Sequence, residues 1–499
     1  MLLVSAALLD AQSSRSAEDR ASLHLDSLRK RPLLALAFLR EMPKGGDLHN
    51  HLGGAIYAEN LIRFAVRDRL CLGRSSLGIV STACDTLCDK ESPTVAAECA
   101  DRDQDLYNSI VDAWSVRNWE RGHESGHEHF FSTFSKFEPV LDNHTGEFIA
   151  VAMNQAAADH VQYLELMHTI GGSSAALLGA KLSWDGNFSA ARQKLIANGF
   201  EENINQIRNQ LDADEQTARK TLACGSDSPA AGCQVTIRYL YQVLRGFPPE
   251  QVFAQILTGF ELASVDPRVV GLNLVMPEDG AISMRDFDLH MKMIDYLHRI
   301  YPKVHITLHA GELAMGLVPP DGLRFHIRES IEVGHAERIG HGVDVLNERD
   351  PFGLLREMAD RKVLVEICLT SNDVILGIKG DEHPFPIYRE FKVPVTLATD
   401  DEGVSRTDLT HEYLRALVTY NLSYRDLKEL VRDSLEHSFL PGASLWADLH
   451  IKRTVAECAS TSTRSARVPV PCSKFLDTNE KAKLQWKLEE EFEAFEKKF

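Results

Sequence analysis

Eight short runs of apolar, mostly branched residues recur along this chain, with helical patterns between them, and they limit the folds that it can adopt. The runs lie at 161–166, 235–240, 269–274, 305–308, 363–367 and 395–398, and around Leu48 and Ile339. Nearly continuous apolar strands separated by helices are typical of a parallel sheet buried on both faces. Eight of them predict an α/β fold, a closed (β/α)8 barrel of the TIM type.

Four polar clusters each coincide with the end of one of these runs. They are Asp47-Leu48-His49-Asn50-His51, His309-Ala310-Gly311-Glu312, Gly340-His341-Gly342 and Asp400-Asp401. In such barrels the functional groups gather at the C-terminal ends of the strands. His49 and His51 are two residues apart on a strand, so their side chains point the same way and suit one metal ion. The clusters together predict a metal-dependent hydrolase.

The donor types match a catalytic zinc site with one Zn²⁺ per chain. His49, His51 and His309 supply nitrogen and Asp400 supplies oxygen, which leaves a position for a water that ionises near neutral pH. Glu312 could act as an acid of raised pKa, His341 could hold the nucleophile, and Asp401 could hydrogen-bond the substrate. Taken singly, each residue could instead satisfy a neighbouring backbone group. Four clusters in barrel order favour the site.

The chain resembles the adenosine deaminase family of metal-dependent amidohydrolases, and most closely its extracellular, growth-factor-type members. The matching motifs are Met-Pro-Lys-Gly-Gly-Asp-Leu-His-Asn-His-Leu at 42–52, Leu-His-Ala-Gly-Glu at 308–312, Arg-Ile-Gly-His-Gly at 338–342, Glu-Ile-Cys-Leu-Thr-Ser-Asn at 366–372 and Thr-Asp-Asp at 399–401. The resemblance implies that zinc is held by His49, His51, His309 and Asp400, and that adenosine and deoxyadenosine become inosine and deoxyinosine plus ammonia. It implies that Glu312 protonates purine N1, His341 orients the nucleophile and Asp401 contacts N7.

The resemblance also assigns Gly54, Met276, Phe134 and Phe137 to substrate contacts, although the two phenylalanines could equally belong to a helix packed on the barrel. Two positions depart from the family pattern. Gly53 stands where cytosolic members have an Asp that contacts the ribose, and Met276 stands where the family usually has Gly. Another 6-aminopurine substrate is therefore an alternative, and so is a non-catalytic extracellular binding or signalling protein on the same barrel.

The chain is acidic overall. This charge favours a small soluble substrate over a polyanionic partner. The chain has 54 Lys and Arg against 72 Asp and Glu, a net charge of −18, and no basic run. Nucleic acid and anionic membrane surfaces are therefore poor partners. No stretch of about 18 or more apolar residues predicts a membrane span. A purine nucleoside is the expected partner, and a homodimer is left open.

Cysteine positions favour an oxidising compartment. Cys368 lies in an apolar run and reads as a core thiol, while the other eight of nine cysteines fall in loop-like places. Cys224 with Cys233 is the first pairing expected, Cys458 with Cys472 the second, and Cys71, Cys84, Cys88 and Cys99 allow three pairings. The alternatives are surface thiols of a cytoplasmic enzyme and a zinc knuckle at Cys84 and Cys88. We expect a periplasmic or secreted protein.

Patterns along the chain predict its division. Residues 1–17 are a possible signal segment or a frayed helix. Residues 18–70 carry an N-terminal helix and the first barrel strand and helix, 71–129 form an inserted subdomain, and 130–445 complete the barrel with a second insertion at 172–232. Residues 446–499 form a tail ending in an amphipathic helix.

A competing motif is the H-E-x-x-H pattern of zinc proteases. His123-Glu124-Ser125-Gly126-His127 fits it, but Gly122 and Gly126 weaken a helix there. A chance match or pocket-rim histidines are favoured. The deaminases built on H-x-E and P-C-x-x-C are excluded because the chain has no P-C-x-x-C.

Overall fold

A computed structural model describes residues 15–84, 87–120, 124–141, 143–449, 451–459 and 468–499. The possible signal segment lies almost wholly outside these residues. The strands within them are β1 (Gly45–His51), β2 (Cys71–Gly73), β3 (Ile79–Val80), β4 (Thr94–Ala96), β5 (Val161–His168), β6 (Thr236–Leu244), β7 (Val269–Val275), β8 (His305–Ala310), β9 (Arg338–His341), β10 (Leu364–Ile367), β11 (Val395–Leu397), β12 (Trp446–Asp448) and β13 (Arg453–Thr454).

Eight strands form one parallel sheet that curls into a barrel. Their order is β1-β5-β6-β7-β8-β9-β10-β11, and each neighbouring pair is parallel. The two edge strands meet where the His51 N–H donates to the Asp400 carbonyl at 3.1 Å and the Asp400 N–H donates to the His49 carbonyl at 2.8 Å. The predicted (β/α)8 barrel and its eight strands are confirmed.

Helices surround the barrel, and none within the described residues is long and apolar enough to cross a membrane. They are α1 (Ala17–Leu28), α2 (Pro32–Glu41), α3 (Ala58–Arg67), α4 (Gln104–Ala113), α5 (Gly126–Leu141), α6 (Thr145–Ala158), α7 (Ser174–Gly179), α8 (Phe188–Ala197), α9 (Phe200–Thr221), α10 (Pro249–Val265), α11 (Ala281–Arg285), α12 (Phe287–His298), α13 (His326–Glu332), α14 (Pro351–Arg361), α15 (Leu369–Leu376), α16 (Phe385–Glu390), α17 (Glu402–Ser405), α18 (Leu409–Tyr420), α19 (Tyr424–Glu436), α20 (Val470–Thr478) and α21 (Glu480–Glu496).

The segments outside the barrel period have defined structure. The stretch after α3 forms an antiparallel sheet in the order β3-β2-β4, followed by α4, and helix α5 begins at Gly126. The stretch between β5 and β6 contains α7, α8 and α9. At the C-terminus, Leu484, Leu488 and Phe492 of α21 are buried in the main apolar core. The apolar face of this helix therefore packs on the barrel.

Four disulfides lie in these outer segments. They join Cys71 to Cys84, Cys88 to Cys99, Cys224 to Cys233 and Cys458 to Cys472. Cys368 is a buried free thiol next to β10. The two pairings expected first are thus present, and the four cysteines of the first insertion take one of the three pairings that were open.

Candidate active site

Four histidines and one aspartate meet at the C-terminal mouth of the barrel. His49, His309, His341 and Asp400 place one donor atom each within 4.8 Å of one another, and His51 joins Asp400 and Asp401 in an overlapping group. The Asp400 Oδ1 atom lies 3.4 Å from His49 Nε2 and 3.2 Å from His51 Nε2. The Nε2 atoms of His51 and His309 are 3.2 Å apart. The four residues predicted as ligands are therefore brought together, with His341 beside them.

Hydrogen bonds at the Nδ1 atoms fix the tautomers of three of these histidines. Each of three histidines donates its Nδ1 hydrogen to a polar side chain: His49 to Glu366 at 2.7 Å, His51 to Gln242 at 3.0 Å and His309 to Asn273 at 2.9 Å. An imidazole held in this way presents the Nε2 lone pair, as metal-ligating histidines do. His49 Nε2 and His341 Nε2 are buried without a hydrogen-bond partner. The donor set and the orphaned Nε2 of His49 fit a divalent metal ion of the zinc type, whereas the Nε2 of His341 carries hydrogen because its Nδ1 accepts from Asn372.

The charge states suit metal binding as well. Burial alone would raise the pKa of Asp400, but the nearby imidazoles of His49 and His51, whose Nε2 atoms approach its Oδ1, hold that pKa well below its ordinary value. Burial and the neighbouring histidines His49 and His51 hold the pKa of His309 well below its ordinary value. Asp400 is thus a carboxylate and His309 a neutral imidazole, the forms that bind a metal.

A chain of buried charges lies beneath the histidines, and sequence reading missed it. The Glu366 carboxylate that accepts from His49 also accepts from Arg338 Nε at 2.7 Å, and Arg338 Nη2 donates to Glu165 at 2.5 Å. These three charged side chains are at most 1% exposed. The available signal was a charged residue in the middle of an apolar strand, as in Leu364–Ile367. Such a residue inside a barrel needs a buried partner.

Glu312 sits beside the donor group in an environment that favours its protonated form. Its Oε1 atom is buried without a hydrogen-bond partner and lies 3.6 Å from His341 Nδ1. Burial, together with the negative charges of Asp400 and Glu278, raises the pKa of Glu312 well above its ordinary value. A carboxylic acid kept neutral in this way can donate a proton.

Glu278 holds the segment that carries Glu312, a role that sequence reading also missed. Its two carboxylate oxygens accept the backbone N–H groups of Gly311 at 3.0 Å and Glu312 at 2.8 Å. Burial alone would raise the pKa of Glu278, but His326 and Arg245 outweigh burial, so the net effect is a lowered pKa and the group stays charged. It therefore acts as a fixed acceptor behind the acid.

Asp401 and Gly54 are in close contact at the mouth. A Cβ atom on Gly54 would lie 1.6 Å from Asp401 Oδ1, so this position requires glycine. Burial and the adjacent Asp400 raise the pKa of Asp401 to about 8, against the lowering effect of His51. Gly54 therefore makes room for a buried Asp401 that is protonated at neutral pH.

Three site residues adopt a left-handed backbone. Their φ angles are +84° at Met276, +68° at His341 and +60° at Asp400. This region is disfavoured for residues with a Cβ and occurs at functional sites. Met276 is 40% exposed, and its sulfur accepts the Gly246 N–H at 3.3 Å. Met276 thus occupies a glycine-like conformation with a partly exposed side chain at the end of β7.

The first turn of α5 spans the barrel mouth. On one side, His127 Nε2 lies 2.8 Å from Asp279 Oδ1, just beyond β7. On the other side, Gly126 packs against the Val374 carbonyl of α15. A Cβ atom on Gly126 would lie only 1.8 Å from that carbonyl oxygen. Strands β7 and β10 are three places apart in the barrel. Farther along α5, Phe134 is half-buried, while Phe137 is fully buried and faces Trp114.

The H-E-x-x-H match has no metal geometry among the described residues. His123 lies outside them, and the groups of residues that could hold a metal there do not include His127. His127 is a rim histidine paired with Asp279.

Comparisons with known proteins show what this chain is similar to. The family model for adenosine deaminase matches residues 89–446. An adenosine deaminase of Clostridium perfringens is 35% identical over 135 residues, which cover 27% of this chain and 37% of that enzyme. One from Mycobacteroides abscessus is 27% identical over 221 residues, covering 42% of this chain and 56% of that enzyme. The chain thus spans less than two thirds of either relative.

Solved structures share the fold at low sequence identity. The apo N6-methyl-AMP deaminase of Arabidopsis thaliana has a TM-score of 0.54 at 20% identity, with 81% of this chain and 94% of that chain covered. An amidohydrolase from Burkhoderia ambifaria with bound Zn has a TM-score of 0.54 at 15% identity, with 82% and 88% covered.

Proposed function

Because this chain belongs to the adenosine deaminase family, we propose that it is a metal-dependent hydrolase that removes the 6-amino group of purine nucleosides. Adenosine and 2′-deoxyadenosine are the proposed substrates, and inosine or deoxyinosine and ammonia are the products. One observation carries the proposal: a neutral, buried Glu312 stands beside a convergent set of histidine and carboxylate donors.

We assign His49, His51, His309 and Asp400 as the ligands of one Zn²⁺ ion. Zinc in such a set lowers the pKa of water and so supplies a nucleophile at neutral pH. The hydrogen bonds from His49 to Glu366, from His51 to Gln242 and from His309 to Asn273 keep the three imidazoles oriented before any ion arrives.

The remaining site residues move or hold protons around the purine ring. Glu312 donates the proton on its carboxyl to purine N1, which makes C6 more electrophilic. His341 accepts from the Asn372 side-chain amide at Nδ1, at 3.0 Å, and its unpartnered Nε2 orients the attacking nucleophile. Asp401 is protonated at neutral pH and donates a hydrogen bond to N7, which is an acceptor. The α5 turn that spans the mouth limits the access of bulk water.

Gly53 favours a second substrate class, a purine nucleoside 5′-monophosphate. An Asp at this position would add a negative charge near the sugar, whereas Gly53 adds none, and the nearest atom to its Cβ direction is Leu141 Cδ1 at 3.4 Å. Loss of that charge removes repulsion of a phosphate group. The solved N6-methyl-AMP deaminase has the same fold. A non-catalytic binding protein is disfavoured, because it has no need of buried imidazole nitrogens without partners.

The disulfides support export. Four pairs in the outer segments and one reduced core thiol suit a secreted or periplasmic protein rather than a cytoplasmic one. On this basis and on its Met-Pro-Lys-Gly segment, we propose that the chain belongs with the extracellular, growth-factor-type members.

An absorbance assay of purine deamination tests the proposal across adenosine, deoxyadenosine, adenine, AMP and N6-substituted nucleosides, with the metal content of each sample measured. Turnover of AMP above adenosine selects the second substrate class. No turnover of any compound by fully metal-loaded protein rejects deamination.

Glu312→Gln tests the role of the acid within the same assay. We expect turnover to fall by at least about 10²-fold with metal content unchanged, because an amide cannot deliver the proton. Glu128→Gln, an exposed change on α5, is the matched control. Near-normal turnover of the fully loaded Glu312 variant removes this residue from the mechanism.

A further inference from the structure

A cavity of about 520 Å³ lies at the opposite end of the barrel from the candidate active site. It is built where α12, α14 and α19 end and where β8, β9 and β10 begin. Among its lining residues, five are Lys or Arg and two are Glu, so its charge is opposite in sign to the net charge of −18 of the whole chain.

Three of these cations already have partners. Arg338 is held between Glu366 and Glu165. Arg361 pairs with Glu357 at 2.8 Å, and Lys481 donates to the Glu436 carbonyl at 2.9 Å, at the end of α19. Cations at helix C-termini offset the negative end of the helix dipole, which accounts for Arg361 and Lys481.

Lys303 and Lys362 differ from these three in having no side-chain partner among the described residues, although Lys362 is the C-cap residue of α14. Both are exposed and line the cavity, and within the described part of the chain neither forms an ion pair. Of the two lining carboxylates, Glu337 bonds to His305, another lining residue, at 2.8 Å, and Glu436 accepts from Ser444 at 2.6 Å. Among the described residues, neither lining acid forms an ion pair with Lys303 or Lys362, and the lining cations outnumber the lining acids.

His437 is a recessed group of the same cavity. No hydrogen bond to its ring is present among the described residues. Its backbone N–H donates to the Asp433 carbonyl at 3.0 Å, and its own carbonyl accepts from Arg338 at 3.0 Å. Burial, and then the cations Lys481, Arg338 and Lys362, lower the pKa of His437 to about 3. The charges that lower this pKa are positive, so an anion in the cavity would offset them.

We propose that this cavity is a binding site for a small multivalent oxyanion of the phosphate class, held by Lys303 and Lys362 at the rim and by His437 deeper in. Ammonium groups bind phosphate as compact point charges, and an imidazole N–H adds a directional donor. The site is separate from the deaminase chemistry and does not depend on it.

Isothermal titration of the full chain with inorganic phosphate, pyrophosphate and ribose 5-phosphate at constant ionic strength tests the site. Chloride serves as the reference anion. We expect saturable binding with a stoichiometry of one. Tighter binding of ribose 5-phosphate points to a phosphorylated metabolite as the ligand, and equal or weaker binding points to the free ion. Binding no tighter than that of chloride for all three overturns the proposal.

A matched pair of lysines locates the binding. Lys303→Gln with Lys362→Gln should weaken phosphate binding at least about tenfold, because two charge-assisted contacts are lost. Lys392→Gln is the control, because Lys392 lies outside the cavity. Like Lys362, Lys392 is exposed, has a left-handed backbone (φ +62° against +56°) and follows a helix shortly before the next strand. An equal loss in the control, or none in the double variant, overturns the assignment. His437→Gln separates the recessed imidazole from the rim, and unfolding midpoints check that all variants fold.

Discussion

Glu366 links the metal-binding end of the barrel to its charged interior. Its carboxylate accepts from His49 on one side and from Arg338 and Thr307 on the other. Burial alone would raise the pKa of Glu366, but Arg338 and His49 outweigh burial, so the net effect is a lowered pKa and the carboxylate stays negative. A fixed negative charge behind an imidazole makes that imidazole a stronger ligand.

Glu366→Gln is therefore expected to lower metal affinity by about 10- to 100-fold, the usual effect of losing such a partner. The amide can still accept from His49, but it cannot balance the buried Arg338. Competition with a chelator measures the change, and Glu357→Gln on the surface of α14 is the control. Unchanged affinity in the Glu366 variant would show that the carboxylate serves only the barrel interior.

Met276 allows a test of backbone strain at the mouth. The left-handed conformation costs a residue with a Cβ about 1 to 2 kcal/mol relative to glycine. Met276→Ala keeps that cost, whereas Met276→Gly removes it, and both delete the same exposed side chain. We expect the Gly variant to be more stable than the Ala variant by about 1 kcal/mol in urea unfolding. Equal stabilities would mean that the backbone relaxes without the Met side chain.

At this scale, sequence predicted the residues that converge and missed those that support them. His49, His309, Asp400 and Glu312 follow apolar runs, and the ends of parallel strands meet at one face. Glu366, Asn273 and Gln242 lie within strands β10, β7 and β6, and periodicity alone does not state which interior side chains face one another across the barrel.

Helices were predicted by their apolar patterns and by their spacing from strands, while their crossings were not. The pattern at Leu484, Leu488 and Phe492 predicts the packed terminal helix, whose core burial is confirmed. The position of α5 across the mouth depends on contacts with Asp279 and Val374, which are distant in sequence. The small β3-β2-β4 sheet has strands of only two or three residues, too short for a periodic signal.

The helix α1 is attached to α19 by a charge pair that should titrate in acid. Lys428 lies 3.0 Å from Glu18, and Arg425 lies 3.1 Å from it. Burial alone would raise the pKa of Glu18, but Lys428 and its neighbours outweigh burial and lower that pKa to about 2 from 4.5. A lowered carboxyl pKa adds stability that is complete above pH 4.5 and is lost as the pH falls towards 2.

Glu18→Gln should therefore destabilise the protein at neutral pH, by about 1 kcal/mol once the half-exposed position is allowed for. The difference from the parent chain should shrink between pH 4.5 and 2. Urea unfolding across this range measures it, with Glu201→Gln on the exposed side of α9 as the control. A difference that stays constant with pH would contradict a charge-based attachment.

For the molecule as a whole, the count of apolar runs sufficed to predict the barrel, because few architectures bury eight parallel strands on both faces. The cysteine count predicted a disulfide framework, yet pairing within the first insertion depended on which strands of the small sheet are neighbours. Cys71 lies in β2 and Cys99 follows β4, and each pairs with a cysteine of the connecting loop.

Non-reducing peptide mapping of protein from an oxidising compartment should find these four disulfides and a free Cys368. Replacing Cys224 and Cys233 together by Ser should cost about 2 to 3 kcal/mol, because a short loop is no longer closed in the unfolded chain. Cys368→Ser is not a suitable control, since its thiol is buried, so the reduced parent chain serves instead. Finding all nine thiols free would reject the oxidised framework.

The seam between β1 and β11 gives the metal centre a role in assembly. The backbone of Asp400 hydrogen-bonds to His49 and His51, and the side chains of the same three residues supply donors to the proposed site. The first barrel strand and the residues after the last one therefore carry donors to the same ion. A bound ion would cross-link the two edges of the sheet where the barrel closes. During synthesis, His49 and His51 are made long before Asp400, so the complete donor set forms only after the last strand. Metal binding would therefore report that the barrel has closed.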